Sequence, residues 1–210
     1  MPRLTVRLLE HREPRKVEEY LRLYARCFHP DERLSRAILR RILQPSPERV
    51  NPVHAFAAYL DDRLVGGAIT LVLPSFGVVF GSYLFVDPHL RRRRLGARIM
   101  QAVTRHERQG AHGENWRIYG EVTANSGAWW HESMERFGFR FFRAPWPMAS
   151  YDRSGRMLRG RLCYLPLRTG APPRFSQPAM LAFVHALFYG PETMHRYLLP
   201  RLKEFVPLEA

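Results

Sequence analysis

Tyr83-Leu84-Phe85-Val86-Asp87-Pro88-His89-Leu90-Arg91-Arg92-Arg93-Arg94-Leu95-Gly96-Ala97-Arg98-Ile99-Met100 is the stretch on which the fold turns. Aromatic and β-branched residues up to Val86 read as a strand, Asp87-Pro88 ends it, and apolar residues at 95, 99, 102 and 103 follow at helical spacing. A strand that runs through a short turn straight into a helix leaves unpaired backbone N–H groups and a positive dipole end at the turn. Such a place is built to hold an anion. The small pair Gly96-Ala97 lets a ligand come close to the backbone, and the run Arg91 to Arg94 adds charge.

Working outward, three strands are predicted over 53–60, 64–73 and 78–86. Asp61-Asp62-Arg63 is a tight hairpin turn between the first two, and Pro74-Ser75-Phe76-Gly77 turns into the third. Upstream, residues 4–9 read as a strand and 15–28 as a helix, with its stripe at 17, 20, 21, 24, 25 and 28. A short helix over 34–43 is broken by Gln44-Pro45-Ser46-Pro47. Downstream come a helix over 95–109, a strand over 117–122, a polar loop over 123–127, and a helix over 128–137 stopped by Gly138. A strand starting at 139–142, a Pro-bearing excursion over 144–156 and a last strand over 160–167 complete the pattern. After a linker or sharp turn at 168–173, two more helices fit 177–189 and 191–205. The order β-α-α-β-β-β-α-β-α-β-β predicts an α+β fold, a central mixed, mostly antiparallel sheet flanked by helices. Residues 1–168 form the domain, and 169–210 an extra C-terminal helical segment packed on it or at an oligomer interface.

The composition bounds the function. The chain has 210 residues, 46% hydrophobic and 25% charged, ample for a real core. No uncharged apolar run reaches the roughly 18 residues that a membrane span needs. The first residues carry charges every few positions, so the expected compartment is the cytoplasm. The net charge of +14 first suggests nucleic acid. Against that, Lys16 and Lys203 are the only lysines, and the arginines are scattered from Arg3 to Arg201 in the manner of GC-rich coding bias. Arg91 to Arg94 is the one true cluster, so the informative part of the charge points to a phosphate-bearing ligand. Cys27 and Cys163 cannot make a disulfide framework or metal cage, and the histidines, His54, His89, His106 and His112 among them, lack metal-ligand spacing. No metal is expected.

A second informative stretch is Asn125-Ser126-Gly127-Ala128, followed by Met134-Glu135-Arg136-Phe137-Gly138-Phe139. With the strand–turn–helix it carries a resemblance. The first stretch resembles the acyl-CoA-binding motif of the GNAT N-acyltransferase superfamily, Arg/Gln-x-x-Gly-x-Gly/Ala after a strand and a Pro. Arg91 opens that motif, Gly96 closes it, and Arg94 stands at its first glycine. The second resembles the family's fourth helix, Asn-x-x-Ala-x-x-x-Tyr-Glu-Lys/Arg-x-Gly-Phe, with two extra residues between Asn125 and its end. The element order matches the family's from Leu4 to Leu167.

The resemblance implies direct attack of an amine on an acyl thioester, with acetyl-CoA or another acyl-CoA as co-substrate. Phe85, Val86, Arg91, Arg92, Arg93, Arg94, Leu95, Gly96, Ala97 and Asn125 are then the cofactor-binding candidates, with backbone N–H groups of Phe85 and Val86 facing the oxyanion. The acceptor must be neutral to attack, so a base is needed. Glu121 and Tyr83 are the candidates, set against a surface carboxylate, a packed aromatic and a water relay. The helix-four tyrosine that protonates the departing thiolate is replaced by Met134, which leaves Ser133 or His131 as substitute acids, or none. A thiol of pKa about 8.5 leaves tolerably without one.

Trp129-Trp130 point in different directions, one to the core and the other a candidate to line a cleft. Trp146 and Tyr151 on the excursion either cover an acceptor or pack in a hairpin, and both cysteines read as buried thiols. The tail helix, with Met180, Leu181, Phe183, Val184, Leu187, Phe188 and Tyr189, either docks or walls an acyl pocket. The leading function is transfer to a primary amine of a small molecule or peptide, by a monomer or homodimer. One alternative takes a longer acyl group from an acyl carrier protein, and another is a catalytically silent module binding RNA or protein.

Overall fold

The computed structural model describes residues 3–44, 51–74, 77–91, 93–110, 116–123, 128–149 and 157–167. Arg92, Asn125, His112, Tyr151, the linker at 168–173 and the two tail helices lie outside the described residues. The chain divides into two compact units, Met1–His112 and Gly113–Ala210.

The first unit runs β1 (Leu4–Leu8), α1 (Pro14–Cys27), a 3-10 turn (Pro30–Glu32), α2 (Arg36–Leu43), β2 (Val53–Leu60), β3 (Arg63–Leu73), β4 (Val78–Val86), a 3-10 turn (Pro88–Leu90) and α3 (Leu95–Gly110). The four strands pair antiparallel in chain order. The β2–β3 hairpin closes as expected: Asp61 and Asp62 have φ of 46° and 65°, the two left-handed positions of a type I′ turn. α1 starts at a proline, whose missing N–H costs nothing there.

Two adjacent glycines let helices lie close on both faces of this sheet. A Cβ on Gly66 would meet Ile99 of α3 at 2.9 Å, and one on Gly67 would meet Tyr20 of α1 at 2.6 Å. Successive strand residues face opposite ways, so α1 and α3 cover opposite faces. On the α1 side, the Tyr20 hydroxyl donates to Ala68 O at 2.9 Å. On the α3 side, Phe56, Ala58, Val65 and Ala68 pack with Leu95, Ile99 and Val103. Buried Glu107 ties α3 down further, accepting from Thr70 Oγ1 at 2.6 Å and lying 3.0 Å from His54 Nδ1.

The second unit runs β5 (Arg117–Thr123), α4 (Ala128–Arg136), β6 (Arg140–Ala149) and β7 (Met157–Pro166). It holds an antiparallel sheet in the order β5-β7-β6. Gly138, with φ of 89°, ends α4 as its sequence predicts. One expectation fails here. Residues 144–149 are not an excursion: β6 continues through Pro145 and Pro147 to Ala149, paired with Arg161 and Arg159 of β7, while 150–156 lie outside the described residues. Prolines are tolerated because β6 is an edge strand, where a missing N–H need not break a ladder. Trp146 is fully buried there, so it packs the hairpin rather than covering a ligand. The α+β class and the order of elements from Leu4 to Leu167 agree with the sequence reading. No helix among the described residues is long and apolar enough to cross a membrane.

Candidate functional site

In the first unit the site is the passage from β4 to α3. β4 carries a bulge: Ile69 pairs with Tyr83 while Thr70 pairs with Gly81, leaving Ser82 unopposed. Its hydroxyl is buried and has no hydrogen-bond partner among the described residues. Bulges re-aim a strand, and this one lies just before Phe85 and Val86. Sequence reasoning passed over Ser82, because a bulge leaves no residue-type signature.

Phe85 is buried against Tyr20, Tyr24 and Phe28, with ring centroids 5.2 to 6.1 Å apart. The Val86 carbonyl accepts from Cys27 Sγ at 3.4 Å. Burial pushes the Cys27 thiol up to about 11. Asp87, also buried, caps the 3-10 turn by accepting from His89 N at 3.1 Å. Its other oxygen lies 3.7 Å from both Arg26 and Arg63. The chain leaving β4 is thus clamped from three directions.

The turn that follows is exposed and cationic at Arg91, Arg93 and Arg94, and the first turn of α3 contains no acidic residue. Arg94 has a φ of 57°, and its carbonyl accepts from Arg98 N at 3.2 Å. The family glycine that it replaces is therefore replaced at a left-handed position, at a cost of about 1 kcal/mol. Leu95 is buried in the core, while among the described residues a Cβ on Gly96 would meet only Val86 Cγ2 at 3.8 Å. Packing does not demand a glycine there. Ala97 is half-buried beside it.

Tyr83 is a packed aromatic. Its hydroxyl accepts from Leu34 N at 3.1 Å, and its ring lies edge-on to Tyr24 at 4.9 Å and Phe28 at 5.2 Å. In the second unit, Glu121 is half-buried and its Oε1 accepts from the Trp146 indole N–H. Met134, at the family tyrosine's place, is 5% exposed, and its methyl packs 3.7 Å from where a Gly120 Cβ would stand. Ser133 is half-buried, and its carbonyl accepts from Phe137 N at 3.1 Å.

His131 stacks on Phe141 at 3.7 Å, with Nε2 buried and lacking a partner among the described residues. Burial, aided by the Arg161 charge, holds its pKa below the ordinary 6.5. A depressed histidine contributes stability above its unfolded pKa that is lost as pH falls through the folded value. The melting temperature is therefore expected to drop below about pH 6.5, and His131→Gln to flatten that drop. Identical melting-temperature slopes for both proteins between pH 5 and 8 would count against this.

Among the described residues no three His, Cys, Asp or Glu side chains are grouped to hold a metal. None of the curated proteins matches the sequence closely. Among solved structures, one of a GNAT-family protein from Bacteroides thetaiotaomicron is similar, with a TM-score of 0.67, 15% identity and coverage of 89% of this chain and 98% of that one. The ribosomal-protein-S18-alanine N-acetyltransferase of Escherichia coli gives 0.59 and 17%, covering 82% and 99%. A structure from Salmonella typhimurium described with its cofactor acetyl-CoA gives 0.54 and 17%, covering 82% and 98%. At these identities the likeness is one of fold. The model of the Acetyltransferase (GNAT) family matches residues 15–139, well over half of the sequence, and it contains the entire β4–α3 passage. The chain belongs to the GNAT acetyltransferase family.

Proposed function

We propose that the protein is an N-acyltransferase moving an acetyl or other acyl group from acyl-CoA to a primary amine of a small molecule or peptide. The β4–α3 passage carries this reading. Its exposed arginines and acid-free helix start suit a pyrophosphate, and the open space at Gly96 is a cradle that a side chain would fill. An acyl-CoA, when bound, supplies the activated thioester carbonyl. Arg91, Arg93 and Arg94, with Arg92, bind the phosphates, Leu95, Gly96 and Ala97 present backbone at the helix start, and Asn125 is kept as a further contact. Backbone N–H groups of Phe85 and Val86 are the proposed oxyanion donors. Glu121 and Tyr83 are the base candidates, and His131 or Ser133 the acid, with a thiolate able to leave unaided. The E. coli neighbour's peptide-type acceptor supports an amine as acceptor.

Calorimetry with CoA, acetyl-CoA and octanoyl-CoA tests the reading. Saturable binding of acetyl-CoA is expected, and tighter binding of octanoyl-CoA would shift the donor toward long-chain or carrier-bound acyl groups. Buried Met134 in place of an acid favours a second reading, a silent module for RNA or protein. Steeply salt-dependent RNA binding with no acyl-CoA binding would select it.

A further inference from the structure

The loop between α1 and α2 is fastened to β4 at both ends. At its start, Cys27 Sγ donates to Val86 O at 3.4 Å, and the Phe28 ring lies edge-on to Tyr83 and Phe85 at 5.2 and 6.1 Å. At its far end, Leu34 N donates to the Tyr83 hydroxyl at 3.1 Å. Tyr83 thus holds the loop from both sides. The loop comprises His29, the 3-10 turn Pro30–Glu32 and Arg33, and it carries a histidine–carboxylate pair, His29 Nδ1 with Asp31 Oδ1. The two partners differ sharply in setting: the Asp31 side chain is 4% exposed, that of His29 71%. A buried carboxylate gripping one nitrogen of an exposed imidazole fixes its tautomer, with the proton on Nδ1 and the lone pair on Nε2.

We propose that His29, rather than Glu121 or Tyr83, is the proton acceptor for the attacking amine, with Asp31 and Tyr83 as positioning residues. This rests on the acyltransfer reading above. His29 follows directly in the chain on Phe28, whose ring meets that of Phe85, the strand position proposed to polarise the thioester carbonyl. The step balances simply. A primary ammonium gives one proton to Nε2, and the freed nitrogen lone pair forms the C–N bond at the thioester carbonyl. The C–S bond then breaks with its electron pair on sulfur, and the nitrogen's second proton goes to the departing thiolate or to solvent. Imidazolium returns its proton to water. Among the described residues, the titratable and charged neighbours of the loop include Asp31, Glu32 and Arg33 within it, Tyr24 on α1, Tyr83 on β4, and Arg26, Asp87 and Arg91 around Cys27 where the loop begins.

The test measures CoA release from acetyl-CoA by the full chain, with spermidine, glycinamide and an alanine-initiated peptide as amines, from pH 5.5 to 9. His29→Gln is expected to lower kcat by roughly a hundredfold or more, with KM for acetyl-CoA within about twofold, and to remove the acid limb of the rate profile. Imidazole in solution should restore part of the rate to His29→Ala. Asp31→Asn and Tyr83→Phe should each lower kcat while leaving KM for acetyl-CoA within about twofold, the split expected of residues that position the base. Because His29 is mostly exposed, its variants should melt as the wild type does, so a fold defect does not explain the loss. A His29→Gln protein with an unchanged rate and limb, or a limb abolished by Glu121→Gln instead, overturns the proposal and leaves the acyltransferase reading standing. A wild-type protein that releases no CoA above the spontaneous rate with any amine sinks both.

Discussion

Replacing Gly67 by alanine is expected to remove a large part of the folding stability. The new methyl carbon would stand 2.5 Å from the Phe56 carbonyl oxygen, 2.6 Å from the Tyr20 ring and 2.9 Å from the Phe85 ring. A carbonyl in the β2–β3 ladder cannot retreat without breaking the pairing Ala57↔Gly67, and Tyr20 is anchored by its own hydrogen bond to Ala68. Overpacking usually costs about 1–3 kcal/mol, and with two of three neighbours fixed the cost here should reach about 4 kcal/mol. Domains of this size hold only about 5–15 kcal/mol in all. Gly110→Ala is the matched control: among the described residues nothing lies within 4 Å of its new methyl. Chemical denaturation of the two variants should therefore separate them by several kcal/mol. A Gly67→Ala protein as stable as the Gly110→Ala one would mean that the α1 face yields far more than its packing suggests.

The same substitution at Gly96 should do the reverse. The helix gains propensity, about 1 kcal/mol for Gly→Ala, and among the described residues the new methyl touches only Val86 at 3.8 Å. Stability should hold or rise. Affinity for acetyl-CoA, in contrast, should fall about tenfold for Gly96→Ala and about a hundredfold for Gly96→Leu, because backbone approach to the phosphates is what the glycine permits. Thermal melts without ligand and calorimetry with acetyl-CoA measure the two sides separately. Unaltered affinity in Gly96→Leu would dissociate this helix start from the phosphates. Loss of both fold and affinity would show that the glycine serves packing after all.

The strands of the first unit were readable because each kind of signal was local. Alternation and turn residues place β2 and β4 at their observed ends, and Asp61-Asp62 turns where two acidic residues tolerate positive φ. β6 was misread for an equally local reason: Pro145 and Pro147 argue against a strand unless one knows that it lies at an edge. The site divides in the same way. Arg91 to Gly96 announce themselves by composition and order. Tyr83, 49 residues from its partner Leu34, gives no hint in sequence that its hydroxyl accepts an N–H bond. His29 and Asp31 are two residues apart, yet nothing in the sequence marks Asp31 as buried and His29 as exposed, and that contrast is what makes the pair informative. Gly66-Gly67 carry no sequence signal of their role, since only helices packed from both faces give two adjacent glycines a purpose.

The prolines of β6 also bear on assembly. Strand addition requires a row of N–H donors and carbonyl acceptors along an open margin, and Pro145 and Pro147 delete donors at two alternate positions of this one. A second copy, or a misfolded neighbour, that tried to extend the sheet there would meet carbonyls without their matching donors. The margin is thereby made a poor seed for fibres, and strand-to-strand pairing of two chains along it is disfavoured.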